Sequence, residues 1–385
     1  MMSFGFSTPG KTLFGRGTAD AIPEHVLGFG QRLLLVRGRS VARVDDIALD
    51  LQKKGAVLET VFAEGEPTVS QVIQVVKAGR DHRAQAVVAI GGGSAIDLGK
   101  AAAALIPSGS DLMDHLEVVG AGLPLTAQPL PLVAIPTTAG TGAEMTKNAV
   151  ISVPDAALKV SLRDDRMYPT LAIVDPSLTD HAPREVTVSS GLDAVTQVIE
   201  PYLSSRANPL TDALCQPAIR MGLQAVATLI RHEDPDARDA LAYVSMISGV
   251  ALANAGLGAV HGLAGVIGGQ TNLAHGLICA NLLGPTLDMN FQRTATAGGN
   301  LERYSFLRQV ISDVFDGWGD QSFLALSDVF ELQGVPGLDD LLADNARVDG
   351  LIHDALNSSS MKANPVQLTE EDVRAILQMA VCPTA

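Results

Sequence analysis

Along the first half of the chain, short apolar runs alternate with stretches whose apolar residues recur at helical spacing. Lys11–Phe14 is a short candidate strand closed by Gly15–Gly17, and Gln31–Val36 (QRLLLV) is a largely apolar run of strand length. Val57–Phe62, Ala86–Ile90 (AVVAI) and Leu132–Ile135 continue the series. Between them, Leu49–Lys54, Thr68–Arg80 and Ala95–Leu105 read as helices. Apolar strands alternating with helices predict crossover units and a parallel sheet, the α/β class.

From about Pro183 the strand-type runs fade. Val188–Ser204, Leu210–Leu229 and Asp236–Ala255 have helical spacing, the second opening near Pro209 and the third near Pro235 and Asp236. Leu301–Phe315, Gln321–Leu332, Leu338–Ala343, Val348–Ala355 and Thr369–Met379 continue the pattern, the last with Thr369 as N-cap before an acidic first turn. A chain of 385 residues is long for one core. The expected division is a dinucleotide-binding α/β domain over 1–182 and an α-helical metal and substrate domain over 183–385, with a reaction cleft between them.

Charge narrows the partners. A net charge of −15 argues against nucleic acid and gives no support to an anionic membrane surface. Ala240–Leu287 lacks Asp, Glu, Lys and Arg and is long enough to span a bilayer, but Ser, Asn, Gln, His and many Gly interrupt it, so buried helices are the expectation. The cysteines, Cys215, Cys279 and Cys382, are odd in number and form no CxxC pair, which fits reduced thiols and a cytoplasmic location. The opening MMSFGFSTPGKTLFGRG has no apolar core of secretory length. No GxSxG elbow is present to support a serine hydrolase.

Three strand ends carry turns suited to a nucleotide. In AVVAIGGGSAIDLGKAA the glycines let backbone approach a phosphate, and the following helix offers free amides and the positive end of its dipole. The sequence is neither GxGxxG nor a P-loop, and a tight strand-to-helix turn is the competing reading. In IPTTAGTGAEMT, Thr137, Thr138 and Thr141 supply hydroxyls, against the reading of a plain polar loop. The third turn is Arg37-Gly38-Arg39-Ser40. An acid near such a strand end holds a ribose 2′-hydroxyl, whereas arginine accommodates a 2′-phosphate, so this turn tilts toward NADP unless both arginines are solvated surface charges.

The second half supplies candidate metal ligands. Asp193 stands in GLDAVTQVIE, with Gln197 one turn later; His261 and His275 lie 14 positions apart in Gly- and Ala-rich surroundings. One carboxylate and two imidazoles suit zinc or ferrous iron and leave room for substrate. Hydrogen-bonded core histidines are the alternative, and the spacing is not a familiar zinc pattern such as HExxH.

Together these segments resemble the iron-containing (group III) alcohol dehydrogenase family. The resemblance runs through LFGRGTA, GGGSAIDLGK, DHLEVVG, IPTTAGTGAE, AIVDPSLT, GLDAVTQVIEPYLSSRANPLTDAL, GLGAVH, AHGLICANLLGP and ANPVQLTEEDV, nearly the whole chain. It implies a Rossmann-like domain followed by an all-helical domain, a fold shared with dehydroquinate synthase. It also implies NAD or NADP, Fe2+ or Zn2+, reversible oxidation of an alcohol to an aldehyde or ketone, and a homodimer. By motif position Gly92, Gly93 and Ser94 would contact the pyrophosphate, Asp97 would lie near the nicotinamide, Thr137, Thr138 and Thr141 would line the cofactor cleft, and Lys159 would reach a ribose. Gly38 stands where many NAD-preferring relatives carry an aspartate. Asp193, His261 and His275 match three of the family's four metal ligands; Gln197 replaces the histidine expected one turn after the aspartate, and Gly265 replaces a further imidazole common in the family. The site would then bind metal through three strong ligands, as in the glycerol dehydrogenase branch, or with Gln197 as a weak amide-oxygen ligand. It could also be metal-free, as in the maleylacetate reductases, with Lys159, Arg163 and Arg166 receiving an acidic keto substrate. A catalytically altered nucleotide-binding relative is the remaining alternative.

Overall fold

The computed structural model of the chain describes residues 3–156, 158–271, 273–315, 323–332, 335, 338 and 345–381. They form two compact units, Ser7–Ala182 and Pro183–Ala385, the latter joined by the residues before Ser7.

The first unit runs β1 (Thr12–Phe14), α1 (Ile22–Val26), β2 (Arg32–Arg37), α2 (Arg43–Lys53), β3 (Val57–Phe62), α3 (Val69–His82), β4 (Ala86–Gly91), α4 (Gly93–Leu105), α5 (Leu112–His115), β5 (Leu132–Pro136), β6 (Asn148–Val153), β7 (Leu158–Arg163) and β8 (Leu171–Val174). Six strands form one sheet in the order β1-β8-β5-β4-β2-β3, every pair parallel. Leu34, Val36, Val87 and Ala89 point into one core, and Leu33, Leu35, Val88 and Ile90 into the other. Burial on both faces explains the uninterrupted apolar runs of β2 and β4.

Three features differ from expectation. The helix expected over Leu49–Lys54 is α2, which starts at Arg43; Val44, Ile47 and Leu51 form its buried stripe, so the charged RVDD opening belongs to the helix. The strand β8 inserts between β1 and β5, and β6 pairs with β7 in a separate antiparallel ribbon. Neither was marked by the apolar pattern.

The second unit contains α6 (Arg184–Leu203), α7 (Pro209–Leu229), α8 (Pro235–Ala255), α9 (Ala259–Gln270), α10 (His275–Thr296), α11 (Glu302–Val314), α12 (Ala325–Leu332), α13 (Asn345–Asn357) and α14 (Glu370–Val381). The caps agree with the helix starts. The Asn208 side chain accepts from the amides of Leu210 and Thr211, and Asp234 from that of Ala237. Thr369 Oγ1 accepts from the amide of Asp372 at the start of α14. Gln321, Ser322, Cys382 and the helix expected over Leu338–Ala343, apart from Leu338, lie outside the described residues.

Helix α6 is the centre of this unit. It packs against α7, α8 and α10, and every residue from Gly191 to Leu203 is buried. The uncharged stretch is divided among α8, α9 and α10, with α8 and α9 bent 103° apart. Gly256, at the break, has a φ of 73°, a conformation that favours glycine. Among the described residues no single helix is long and apolar enough to cross a membrane.

Candidate active site

In the first unit, the chain runs outward from β2 to β3 and returns on the other side of β2 as β4. The carboxyl ends of β2 and β4 therefore meet at a topological switch point, where open parallel sheets bind ligands. Gly38 follows β2 and donates its amide to the Ile90 carbonyl at 3.0 Å. A Cβ added at Gly91 would come within 2.6 Å of Ala95 Cβ and 3.2 Å of Gly38 N, so side chains are excluded from this crossing. Helix α4 begins immediately after, with Gly92 at its N-cap and no side chain capping its first amides. Those amides and the dipole make an anion seat of the kind a pyrophosphate occupies.

Of the predicted cofactor residues, Gly92, Gly93, Ser94, Thr137, Thr138 and Thr141 come together here. A Cβ at Gly92 would touch Thr138 Oγ1 at 3.3 Å, and one at Gly93 would touch Thr141 Oγ1 at 2.8 Å. The Thr137 amide donates to the Gly91 carbonyl at 2.9 Å. Arg37 is buried and bound to Asp45, whereas Arg39 is exposed, lies 3.9 Å from the Phe62 ring centre and pairs with Glu64.

Asp97 and Lys159 each have a partner within the unit. Lys159 pairs with Glu66 at 2.7 Å. Asp97 accepts from Lys100 Nζ at 3.3 Å and from the Val150 amide at 3.0 Å, tying α4 to β6. Lys100 is fully buried and also donates to Thr146 Oγ1 and the Asn148 carbonyl. Burial raises Asp97 and lowers Lys100, each opposed by the other's charge. Burial pushes the neighbouring Glu144 up to about 7.

In the second unit a different cluster assembles on three helices. Asp193, Gln197 and Glu200 follow one another at helical spacing along α6. His261 is in the first turn of α9, and His275 opens α10, with Cys279 one turn later. Gly276 permits the close approach of α10 to α6: a Cβ there would lie 1.8 Å from the Ser189 carbonyl oxygen and 3.1 Å from Asp193 Cβ.

Glu200 organises the centre. Its Oε1 accepts from the Val260 amide at 2.7 Å, satisfying a free donor of the α9 N-terminus, and its Oε2 binds His261 Nδ1 at 2.6 Å. His261 Nε2 then faces Asp193 Oδ1 at 3.3 Å, and His275 Nε2 lies 3.9 Å from the same oxygen. Cys279 Sγ is also 3.9 Å from it. Ligand atoms of Asp193, His261, His275 and Cys279 all lie within 4.8 Å of one another.

Burial alone would lower His261, but Glu200 and Asp193 override it and push the imidazole up to about 10. Burial would raise Asp193, but the two histidines hold it below its usual range. The Cys279 thiol is pushed well above its usual value, by burial first and then by the nearby carboxylates. This pocket therefore attracts positive charge, and its donor set is one that binds divalent metals. Gln197 is buried beside them with its Nε2 donating to Ser248 Oγ at 2.8 Å. Glu200 and Cys279 had not been expected; the only sequence signals were their spacings, seven after Asp193 and four after His275.

The model of the iron-containing alcohol dehydrogenase family matches residues 9–176, and that of its C-terminal domain matches residues 187–381. The chain belongs to the iron-containing alcohol dehydrogenase family. It is accordingly an oxidoreductase of the alcohol dehydrogenase class. Alcohol dehydrogenase 4 of Schizosaccharomyces pombe is 30% identical over 98% of this chain and 89% of that protein. The NAD-dependent methanol dehydrogenase of Bacillus methanolicus is 28% identical over 98% of this chain and 99% of that one. The structure of an alcohol dehydrogenase from Oenococcus oeni superposes with a TM-score of 0.88 at 28% identity, covering 98% of this chain and all of the other.

Proposed function

We propose that this iron-containing alcohol dehydrogenase relative interconverts a small alcohol and its aldehyde or ketone, using a nicotinamide dinucleotide at the first unit's switch point and a divalent metal at the helical cluster. The convergence of Asp193, His261 and His275 within 3.9 Å of one carboxylate oxygen carries the reading. When bound, the metal would supply Lewis-acid polarisation of the alcohol or carbonyl oxygen, whether it is iron or zinc.

The chain's own residues set the terms for that chemistry. Glu200 accepts a hydrogen bond from Nδ1–H of His261, which leaves Nε2 as the nitrogen that would bind the metal. Asp193, fixed between two imidazoles, supplies the anionic ligand. Gly265 is exposed and supplies no imidazole at this turn, so the hydroxyl proton would pass to water or a ribose hydroxyl. The α4 amides and the Thr138 and Thr141 hydroxyls would hold the pyrophosphate, and the cofactor would supply the hydride chemistry. Gly38 carries no acid at the end of β2, and Arg39 beside it is exposed, though paired with Glu64; the missing acid is what favours NADP over NAD.

The acidic keto-substrate reading has less support, because Lys159, Arg163 and Arg166 pair with Glu66, Glu117 and Asp164. A homodimer in a reducing, cytoplasmic setting completes the proposal, the latter on the buried free thiols of Cys215 and Cys279. The deciding assay uses alcohols deuterated at C1. Deuterium appearing at C4 of NADPH or NADH for some member of a short-alcohol panel is the expected result, and cofactor binding without transfer across the panel would contradict it.

A further inference from the structure

We infer that Cys279 is a metal ligand and takes the place of the imidazole lost at Gln197, giving an Asp193–His261–His275–Cys279 donor set. This rests on the proposal that the helical cluster holds a divalent metal. Cys279 lies one turn after His275 on α10, so both side chains leave the same face of the helix. Its Sγ is 3.9 Å from Asp193 Oδ1, the same separation as His275 Nε2, and fully buried. From ordinary ligand bond lengths, donors around a four-coordinate zinc lie roughly 3.2–3.6 Å apart. The separations of 3.3, 3.9 and 3.9 Å from Asp193 Oδ1 lie near that spacing, and the four donors, all within 4.8 Å of one another, would draw together around an ion.

Gln197 is held differently. It occupies the matching turn of α6, but its amide nitrogen donates to Ser248 Oγ, which in turn donates to the Ser245 carbonyl. That chain ties the glutamine's amide nitrogen to α8, and the Cys279 sulfur faces the Asp193 carboxylate. On metal binding the thiol proton leaves to solvent and the sulfur enters as thiolate. A thiolate in place of an imidazole makes the donor set softer, and this shifts preference from ferrous iron toward zinc.

The test uses the full chain stripped by a chelator and loaded with Co2+. One cobalt per chain with an intense near-ultraviolet sulfur-to-cobalt charge-transfer band is expected. Cys279→Ser should keep the weak visible cobalt bands, lose the charge-transfer band, and reduce the preference for zinc over ferrous iron by about tenfold or more. X-ray absorption of the zinc-loaded wild type needs no variant and should show a sulfur scatterer at about 2.3 Å. One cobalt without the band, a band that survives Cys279→Ser, or a zinc shell of nitrogen and oxygen alone would each overturn the assignment while leaving the metal reading intact. Failure to bind cobalt or zinc at all would sink the metal reading and this assignment together.

Discussion

Two buried ionic clusters, one in each unit, use similar side chains for different ends. In the α/β unit, Lys100 is a resident cation: its ammonium group joins Asp97, Thr146 and the Asn148 carbonyl and binds α4 to the neighbouring ribbon. In the helical unit, Asp193 and Glu200 form their ion pairs with histidines, and a cysteine stands beside them. Its donors converge on one point. A charge cluster that brings its own lysine is complete as a structural tie, whereas one whose positive partner is an imidazole can exchange that proton for a metal ion. Buried charge by itself therefore does not mark the site; the identity of its positive partners does.

Removing the lysine is the strongest way to test the structural half of this contrast. Lys100→Met should destabilise the protein by about 3–5 kcal/mol in denaturant unfolding, because Asp97 is left buried without its cation. Metal content should not change. In the helical cluster, His275→Ala should lower turnover by about a thousandfold or more while cofactor affinity, read by nicotinamide fluorescence, stays within about twofold. Equal loss of both would break the division of labour. Glu200→Gln keeps the shape but removes the charge that orients His261; metal affinity by competition with a chelating dye should fall about 10- to 100-fold.

Smaller effects sharpen the picture in the first unit. Arg39→Ala should shift the NADP-to-NAD ratio of kcat/KM toward NAD by roughly tenfold, and no shift would leave the arginine as a surface charge stacked on Phe62. Glu144 has a folded-state value of about 7 against an ordinary 4.5, so the folded protein keeps a proton that the unfolded chain has released between those values. The stability held through that proton is present at low pH and is lost as pH rises through about 7. Glu144→Gln should therefore match wild type near pH 4 and be more stable at pH 8, by about 1–3 kcal/mol, in paired thermal melts.

What the sequence made legible follows from burial. The strands β2, β4 and β5 are covered on both faces, so each stands out as an apolar run. The strand β8, Leu171–Val174, is equally buried and as apolar as the run Leu132–Ile135, yet it stands among the polar and turn residues of Tyr168–Thr170 and Asp175–Ser177 and was not marked. Asp193, His261 and His275 were readable because their residue types are frequent metal ligands. Glu200 was not, because its role arises only when α9 docks its first turn on α6. Cys279 reads as an ordinary small apolar residue until α10 is placed beside Asp193, since free cysteines are commonly buried for packing alone. Asp97, a residue of the family motif, is held by Lys100 and the Val150 amide, partners that only the packing of α4 against β6 reveals.

The most direct test of the account is metal analysis of the purified chain, coupled to alcohol-dependent reduction of the nicotinamide cofactor before and after chelation. Close to one zinc or iron per chain, with activity lost on chelation and restored by adding metal back, is the predicted result. Full activity in a metal-free protein would contradict the account at its centre and return the histidines to a direct polarising role.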